Sequence, residues 1–594
     1  MKYALDLSAA EAPAAQDAKA PALKAVSRLL PLLAGEHAIL AYASVATLCN
    51  SLVNLLAPLL IAHIVDRYIT AGRFDGMLGF AAVLFTLYLT GLGTSYLQTR
   101  LMGGVGQRVL FNLRSRIFSK LQELPVAFFN ANKAGDLISR INNDTDKLSL
   151  FFSQTLVQFV GSLVIMCGAA IFLLAINFRL GVAALLPAVV LLVFTRLVSP
   201  WVKRKNAESM AATGNLSAEV TESLNNFRVI VAFNRRDFFR QRFEAANQTN
   251  YRKALLSGLA NSLFTPVFGL ASTLAQLAVL GYGVHLVMTQ SLTLGLLISY
   301  LAYVTNFYNP LRQLAAIWAN FQVAQAGWDR ISAILQMEND MPLLPAGKPA
   351  AATDADTLLE FSDVSFQYTP ERVILQNLNF TLKRGKTYAL VGPTGGGKTT
   401  TASLMARLYD PTTGTVLLNG QDIRSIDPTG RALRIGFILQ EPVLFSGSVR
   451  DNILYGNDNH AQLSDEELLK VLAADGLDDL LMRFDGGLQA AVAASGDSMS
   501  LGQKQLIAFM RAVLRHPDLL ILDEATANID TVTEQLLEAI LRKLPAHTTR
   551  VIIAHRLNTI ENADEIFFVN EAGLTRATSM QDAIDMLLHR QQNS

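Results

Sequence analysis

The sequence predicts two domains built for different solvents: an all-α membrane domain of six helices, followed by an α/β domain around a parallel sheet. Three observations predict this. Intervals free of Asp, Glu, Lys and Arg that are long enough to cross a bilayer occur only before about residue 330. Beyond that point apolar, β-rich runs alternate with helical runs, as in strand–crossover–strand units. Between the two halves, residues 342–353 are rich in Pro, Ala and Gly and read as a linker. Composition agrees. Residues of the AVILMFWYC set make up 51% and charged residues 17% of the 594, against roughly 25% charge in an ordinary soluble domain. Lipid is where the apolar excess can go.

Each span follows from length. A crossing helix needs about 20 mostly apolar residues. The charge-free intervals between 37 and 66, 77 and 99, and 148 and 178 each fit one. The interval 254–311 is too long for one and breaks around 289–293. The run 180–195 is bounded by Arg179 and Arg196 and becomes long enough when these arginines snorkel. Six spans result, near 37–66, 74–99, 148–177, 179–201, 254–288 and 293–324. The loop after the second span carries eight Lys and Arg and the loop after the fourth carries eleven, whereas only Arg67, Arg73 and Arg179 lie opposite. The positive-inside rule then puts both long loops and both termini in the cytoplasm. These loops read as helix, for instance 216–233, so the spans should continue beyond the membrane.

The expected domain limits are a disordered tail at 1–21, a membrane domain at 22–335, a linker at 336–355 and a soluble domain at 356–594. The tail contains Glu11 and Asp17 and lacks the apolar core of a cleaved signal. Residues 22–33 read as a short amphipathic helix at the membrane surface. Cys49 and Cys167 are too few for a disulfide framework or a thiolate metal site and read as packing residues. A net charge of +1 argues against a nucleic-acid partner.

The chemistry lies in the second half. Gly392-Pro393-Thr394-Gly395-Gly396-Gly397-Lys398-Thr399 follows an apolar strand and opens a helical run, the context in which glycine-rich loops hold phosphates. Glycines let successive amides point at phosphate oxygens; Lys398 supplies a charge and Thr399 an oxygen for magnesium. The run Leu519-Leu520-Ile521-Leu522-Asp523-Glu524 is a strand ending in two acids. Such a pair delivers one carboxylate to the magnesium and a second to the attacking water. About thirty residues on, Arg550-Val551-Ile552-Ile553-Ala554-His555 is a strand tipped by a histidine.

This order of motifs resembles the nucleotide-binding domain of ATP-binding cassette transporters, and the six-span half resembles the exporter-type membrane domain of that family. The resemblance implies an α/β P-loop nucleotide-binding domain with an antiparallel β subdomain, ATP and Mg2+ as cofactors, and an ATPase coupled to transport. Under it Tyr368 stacks on adenine, and the phosphate loop through Thr399 and Thr400 holds the phosphates. Thr399, Gln440 and Asp523 serve the metal, and Gln440 also senses the membrane domain. Glu524 is the general base, His555 holds the γ-phosphate and Asp530 is the D-loop acid. Phe128-Phe129-Asn130, Gly135-Asp136-Leu137-Ile138-Ser139-Arg140 and Asn143-Asp144 look like the first cytoplasmic loop of these exporters, which transmits motion between domains.

The family's signature sequence, usually Leu-Ser-Gly-Gly-Gln, caps the ATP of the opposite subunit. Here it reads Met499-Ser500-Leu501-Gly502-Gln503, followed by a helix over 504–515. Ser500, Gly502 and Gln503 match; Leu501 replaces a glycine and adds a side chain where backbone should approach phosphate. Ala494 stands where the family often has glutamate, and the D-loop begins with Ala527. An intact base beside an altered signature suggests a heterodimer with one competent and one degenerate site; a homodimer with tolerated variation is the alternative. Expected partners are therefore a second half-transporter, the lipid bilayer and a small-molecule, lipid or peptide substrate. The expected location is a bacterial inner membrane. Importers of the same architecture and an ATP-gated membrane regulator remain open. Among span residues, Asn50, Asn54 and Asn261 read as interhelical hydrogen-bonders, and His63 and His285 as interfacial. Tyr303, Phe307, Tyr308, Trp318 and Phe321 read as packing residues.

Overall fold

In the computed structural model of the protein, residues 3, 5, 29–72, 75–345, 356–493, 499–523, 531–553, 563–570, 572–579, 581–582 and 585–586 are described. They form two compact units. One comprises Leu5–Gln122 and Lys133–Met337; the other comprises Glu338–Ser594 with Glu123–Asn132 and Met1–Ala4.

The first unit is helical. Its long helices are α1 His37–Ile64, α2 Met77–Glu123, α3 Leu156–Ile176, α4 Phe178–Asn225, α5 Arg236–Ser262, α6 Phe264–Met288 and α7 Leu294–Leu335. The predicted break falls between α6 and α7, where Thr293 caps α7 by accepting from the Leu296 amide. Asp66 completes that cap by accepting from the Gly295 amide at 2.7 Å. Gly295 is obligatory, since a Cβ there would lie 2.2 Å from the Ala62 carbonyl oxygen.

Five helical stretches among the described residues are long and apolar enough to cross a membrane: His37–Ile69, Met77–Glu123, Ala134–Ile176, Phe178–Asn225 and Arg236–Met288. The sixth expected span, α7, is a continuous helix of 42 residues but falls outside that set. The cause is its load of tyrosine and asparagine, and the fold explains why it tolerates them. Tyr300 donates to the carbonyls of Leu173 at 2.6 Å and Asn177 at 2.9 Å, Tyr303 to Leu55 at 2.6 Å, and Tyr308 to Ala184 at 2.9 Å. All three rings are buried. The helix thus lies inside the bundle, against α1, α3 and α6, with its hydroxyls bonded to neighbouring backbones. Packing accounts for Tyr303, Tyr308 and Phe321 as expected, whereas Trp318 is exposed. Tyr303→Phe removes one interhelical hydrogen bond and should cost about 0.6 kcal/mol, at most about 1.7; thermal unfolding of the purified protein checks this.

Several other expectations change. The helix expected over 216–233 is interrupted at Asn226, whose backbone leaves the helical region, and resumes as a short helix Phe227–Ala232. Consecutive asparagines, which bond locally to backbone, account for the stop. Asn261 does bond across helices, to Asn206 at 2.7 Å. The Asn54 amide instead turns onto the Asn50 carbonyl of its own helix, while Asn306 reaches the Asn54 carbonyl from α7. Cys49 and Cys167 are free and exposed rather than packed inside, on outward faces of α1 and α3. Of the expected tail only Tyr3 and Leu5 are described; Tyr3 is buried and its carbonyl accepts from Asn132 at 2.8 Å. The rest of 6–28 lies outside the described residues. In the charged block 135–144, Arg140 donates to Asp136 at 2.8 Å and to the Arg330 carbonyl at 2.9 Å, and the buried Asp144 pairs with Arg330 and Lys147. The block is thereby fastened to the end of α7.

The second unit is α/β. Strands β3 Thr387–Val391, β6 Ile435–Ile438, β9 Leu519–Asp523, β10 Thr549–Ile553, β11 Glu565–Asn570 and β12 Gly573–Ala577 form a sheet in the order β12-β11-β3-β10-β9-β6. All neighbours are parallel except β11–β12. Strands β1 Thr357–Thr369, β2 Arg372–Lys383, β4 Thr413–Leu418 and β5 Gln421–Asp422 form the expected antiparallel sheet, in the order β2-β1-β4-β5, and the short strands β7 Gly447–Ser448 and β8 Ala491–Val492 pair antiparallel with each other. The apolar run of β9 is explained by two cores. Leu519 and Ile521 join the core shared with the antiparallel sheet and α8 Lys398–Met405. Leu520 and Leu522 join the core under α9 Leu501–Val513 and α10 Thr531–Lys543. A strand covered on both faces carries no polar alternation.

Candidate functional site

Parallel strands end together, and that edge collects the motifs. Register pairs Leu390 of β3 with Ile553 of β10, and Ile553 with Asp523 of β9. Ile438 of β6 pairs with Leu522. The loop from Gly392, Asp523 and, two residues past β6, Gln440 therefore leave the sheet at its carboxyl edge, where open α/β sheets bind ligands. Asp523 is buried to 3% exposure and Gln440 is exposed. Glu524, Asp530 and His555, which follow β9 and β10, lie outside the described residues.

The phosphate loop owes its shape to glycine. Gly392, Gly395 and Gly397 have φ of +147°, +79° and +108°, backbone states that side chains disfavour. Gly397 caps α8, whose first turn carries Lys398 and the exposed Thr399. The Lys398 ammonium donates to the Gly392 and Pro393 carbonyls at 2.8 and 3.0 Å, placing a cation under the loop. Beside the loop is a pocket of about 350 Å³, walled by the start of β2, by residues 393–396 and by the turn after β11.

Tyr368 stands at the end of β1 and is half exposed. Its hydroxyl shares a hydrogen bond with the Thr400 hydroxyl at 3.1 Å, and burial of that end raises the phenol's pKa, opposed by the Thr400 bond. The exposure belongs to the ring, which stands edge-on to Phe366 and Tyr409. Tyr409 had no sequence signal. It accepts a hydrogen bond from the Asn130 amide at 2.7 Å, so Asn130, Tyr409, Tyr368 and Thr400 form one connected row.

The signature residues lie at the start of α9. The helix starts at Leu501 rather than 504, because Ser500 and Gln503 form a reciprocal capping box, and ends at Val513. Ser500 accepts from the Gln503 amide at 3.2 Å, and the Gln503 side chain accepts from the Ser500 amide at 3.0 Å. Gln503 also donates to the Arg483 carbonyl at 3.2 Å. Leu501 is 38% exposed and occupies the first helical position.

Comparison with known proteins agrees with both units. Residues 40–311 match the ABC transporter transmembrane region and residues 375–527 match the ABC transporter family. An uncharacterized ABC transporter ATP-binding protein, YknV, from Bacillus subtilis is 30% identical over 90% of this chain and 87% of its own. A fatty acid ABC transporter ATP-binding/permease protein of Mycobacterium bovis is 32% identical over 82% of this chain and 76% of its own. An ATP-dependent lipid A-core flippase of Syntrophus aciditrophicus is 30% identical over 87% of this chain and 84% of its own. With a helical membrane unit, a phosphate loop at the carboxyl edge of a parallel sheet, and relatives matched over 76–87% of their own length, the chain belongs to the ABC transporter family and is an ATPase coupled to membrane transport.

Proposed function

We propose that this chain is one half of an exporter in which ATP binding joins two nucleotide-binding domains and hydrolysis separates them. The observation that carries the reading is the register of β3, β10, β9 and β6, which brings the phosphate loop, Asp523 and Gln440 to one sheet edge. In this reading Tyr368 stacks on adenine, Gly392 to Thr400 and Lys398 hold the phosphates, and Glu524 and His555 act at the γ-phosphate. The exposed Thr399 hydroxyl, the buried Asp523 carboxylate and the Gln440 amide are hard oxygen donors that fit Mg2+. When bound, the ion neutralises phosphate charge. The membrane domain has six spans including α7, the termini and long loops are cytoplasmic, and the membrane is a bacterial inner membrane. Relatives named for fatty acid and lipid A-core support an amphiphilic, lipid-like cargo.

The heterodimer reading rests on Leu501. Its side chain projects at the start of α9, where the helix amides would meet the partner's nucleotide. Purified alone, the chain should hydrolyse ATP slowly and without cooperativity. Leu501→Gly should raise that rate about tenfold or more, by returning backbone donors to the transferred phosphate. Vigorous cooperative turnover of the unmodified chain would sink the heterodimer and leave a homodimeric exporter. ATP-dependent flux in proteoliposomes separates transport from an ATP-gated regulator.

A further inference from the structure

The pocket beside the phosphate loop holds a charge that none of the motifs uses. On one side stand Arg372 and Ile374 at the start of β2, on the second Thr394 and its neighbours in the loop, and on the third Asn570 and Ala572. Arg372 is the only charged residue among the described residues lining it. It is exposed, and its guanidinium makes no hydrogen bond or ion pair with any described residue.

The walls are built in advance. The Gln376 amide donates to the Ala572 carbonyl at 2.7 Å, fastening β2 to the β11–β12 turn. Ala572 itself sits in the left-handed region, at φ +62°. The loop itself rests on the same strand, because a Cβ on Gly396 would come 2.8 Å from the Val569 carbonyl oxygen. The volume, about 350 Å³, falls in the range of small-molecule sites, roughly 300–1,000 Å³. A guanidinium with no partner among the described residues, permanently charged and carrying five donors in a planar fork, faces a loop shaped for anions.

We propose that Arg372 is a nucleotide-binding residue whose guanidinium donates to phosphate oxygens of the bound ATP. Lys398 supplies one cation from beneath the loop, bonded to the Gly392 and Pro393 carbonyls; Arg372 supplies a second from the β2 side. The planar fork suits paired phosphate oxygens better than a point charge does. This rests on the assignment of residues 392–399 as the phosphate loop.

The test is competition against a fluorescent ATP analogue on the full-length protein, with ATP, ADP and AMP as competitors. Arg372→Gln should weaken ATP and ADP by about 5–30-fold, the range for one charge-assisted contact at an exposed site. AMP should lose less, and Arg372→Lys should recover part of the loss. Unchanged ATP and ADP affinities overturn the proposal, as does an equal loss for AMP, which would place Arg372 at the sugar or base. Lys398→Ala in the same assay should abolish analogue binding. Retained binding there would overturn the phosphate-loop assignment itself, whatever Arg372 does.

Discussion

Glu524→Gln is expected to leave ATP binding intact while cutting turnover by about 10²–10⁴-fold, the usual contribution of a positioned general base. The neighbouring strand explains why the effect should be confined to chemistry. Every residue of β9 through Asp523 is buried, so the strand that precedes Glu524 is anchored between two cores. An amide keeps the size of the carboxylate and removes only its basicity. Phosphate release and retention of labelled nucleotide on gel filtration measure the two halves of the prediction. Normal turnover in this variant would move the base elsewhere at the sheet edge, and lost binding would make Glu524 a structural support.

Gly392→Ala should instead fail at the level of folding. The added Cβ would lie 2.2 Å from the Val569 carbonyl oxygen, and that oxygen belongs to a strand paired with β3, so it has nowhere to retreat. The backbone adds its own cost, since φ is +147°. Strain of this kind is worth about 1–3 kcal/mol and overpacking about 1–3 kcal/mol more. The unfolding transition of the ATPase half should fall by on the order of 10 °C, with ATP affinity lost in parallel. Gly395→Ala is the contrast. A Cβ there meets nothing within 4 Å, so only its φ of +79° opposes it and the drop should be smaller. Equal melting of the two variants would refute the role of Val569.

The contrast between these glycines shows how far sequence reading reaches. The motif named all of them as loop formers, yet nothing in it distinguishes a glycine required by its own φ from one required by a distant strand. The same limit appears in α7. Charge-free intervals mark all six expected helices, α7 included, but they do not tell a helix that meets lipid from one packed inside. The interior place of α7 comes from Tyr300, Tyr303 and Tyr308, whose hydroxyls bond the backbones of Leu173, Leu55 and Ala184. Asn226, likewise, stopped a helix that periodicity alone continued. The signature helix starts at Leu501, three residues before the expected 504, because Ser500 and Gln503 cap each other, a capping box whose residues are written in the sequence.

Sequence alone determined the division into a lipid-facing half and a phosphate-binding half, since both depend on local quantities: runs without charge, and glycines spaced before Lys398 and Thr399. It also marked the three strands that carry the motifs, those ending at Val391, Asp523 and Ile553, because apolar runs covered on both faces need no partner to be recognised. Only the tertiary structure decided which strands are neighbours, and hence that Asp523 and Gln440 share an edge with the phosphate loop. It alone placed Arg372 at the pocket and Tyr409 between Asn130 and Tyr368. Those positions arise from contacts between residues far apart along the chain, whose side chains carry no periodic or motif signal of where they meet.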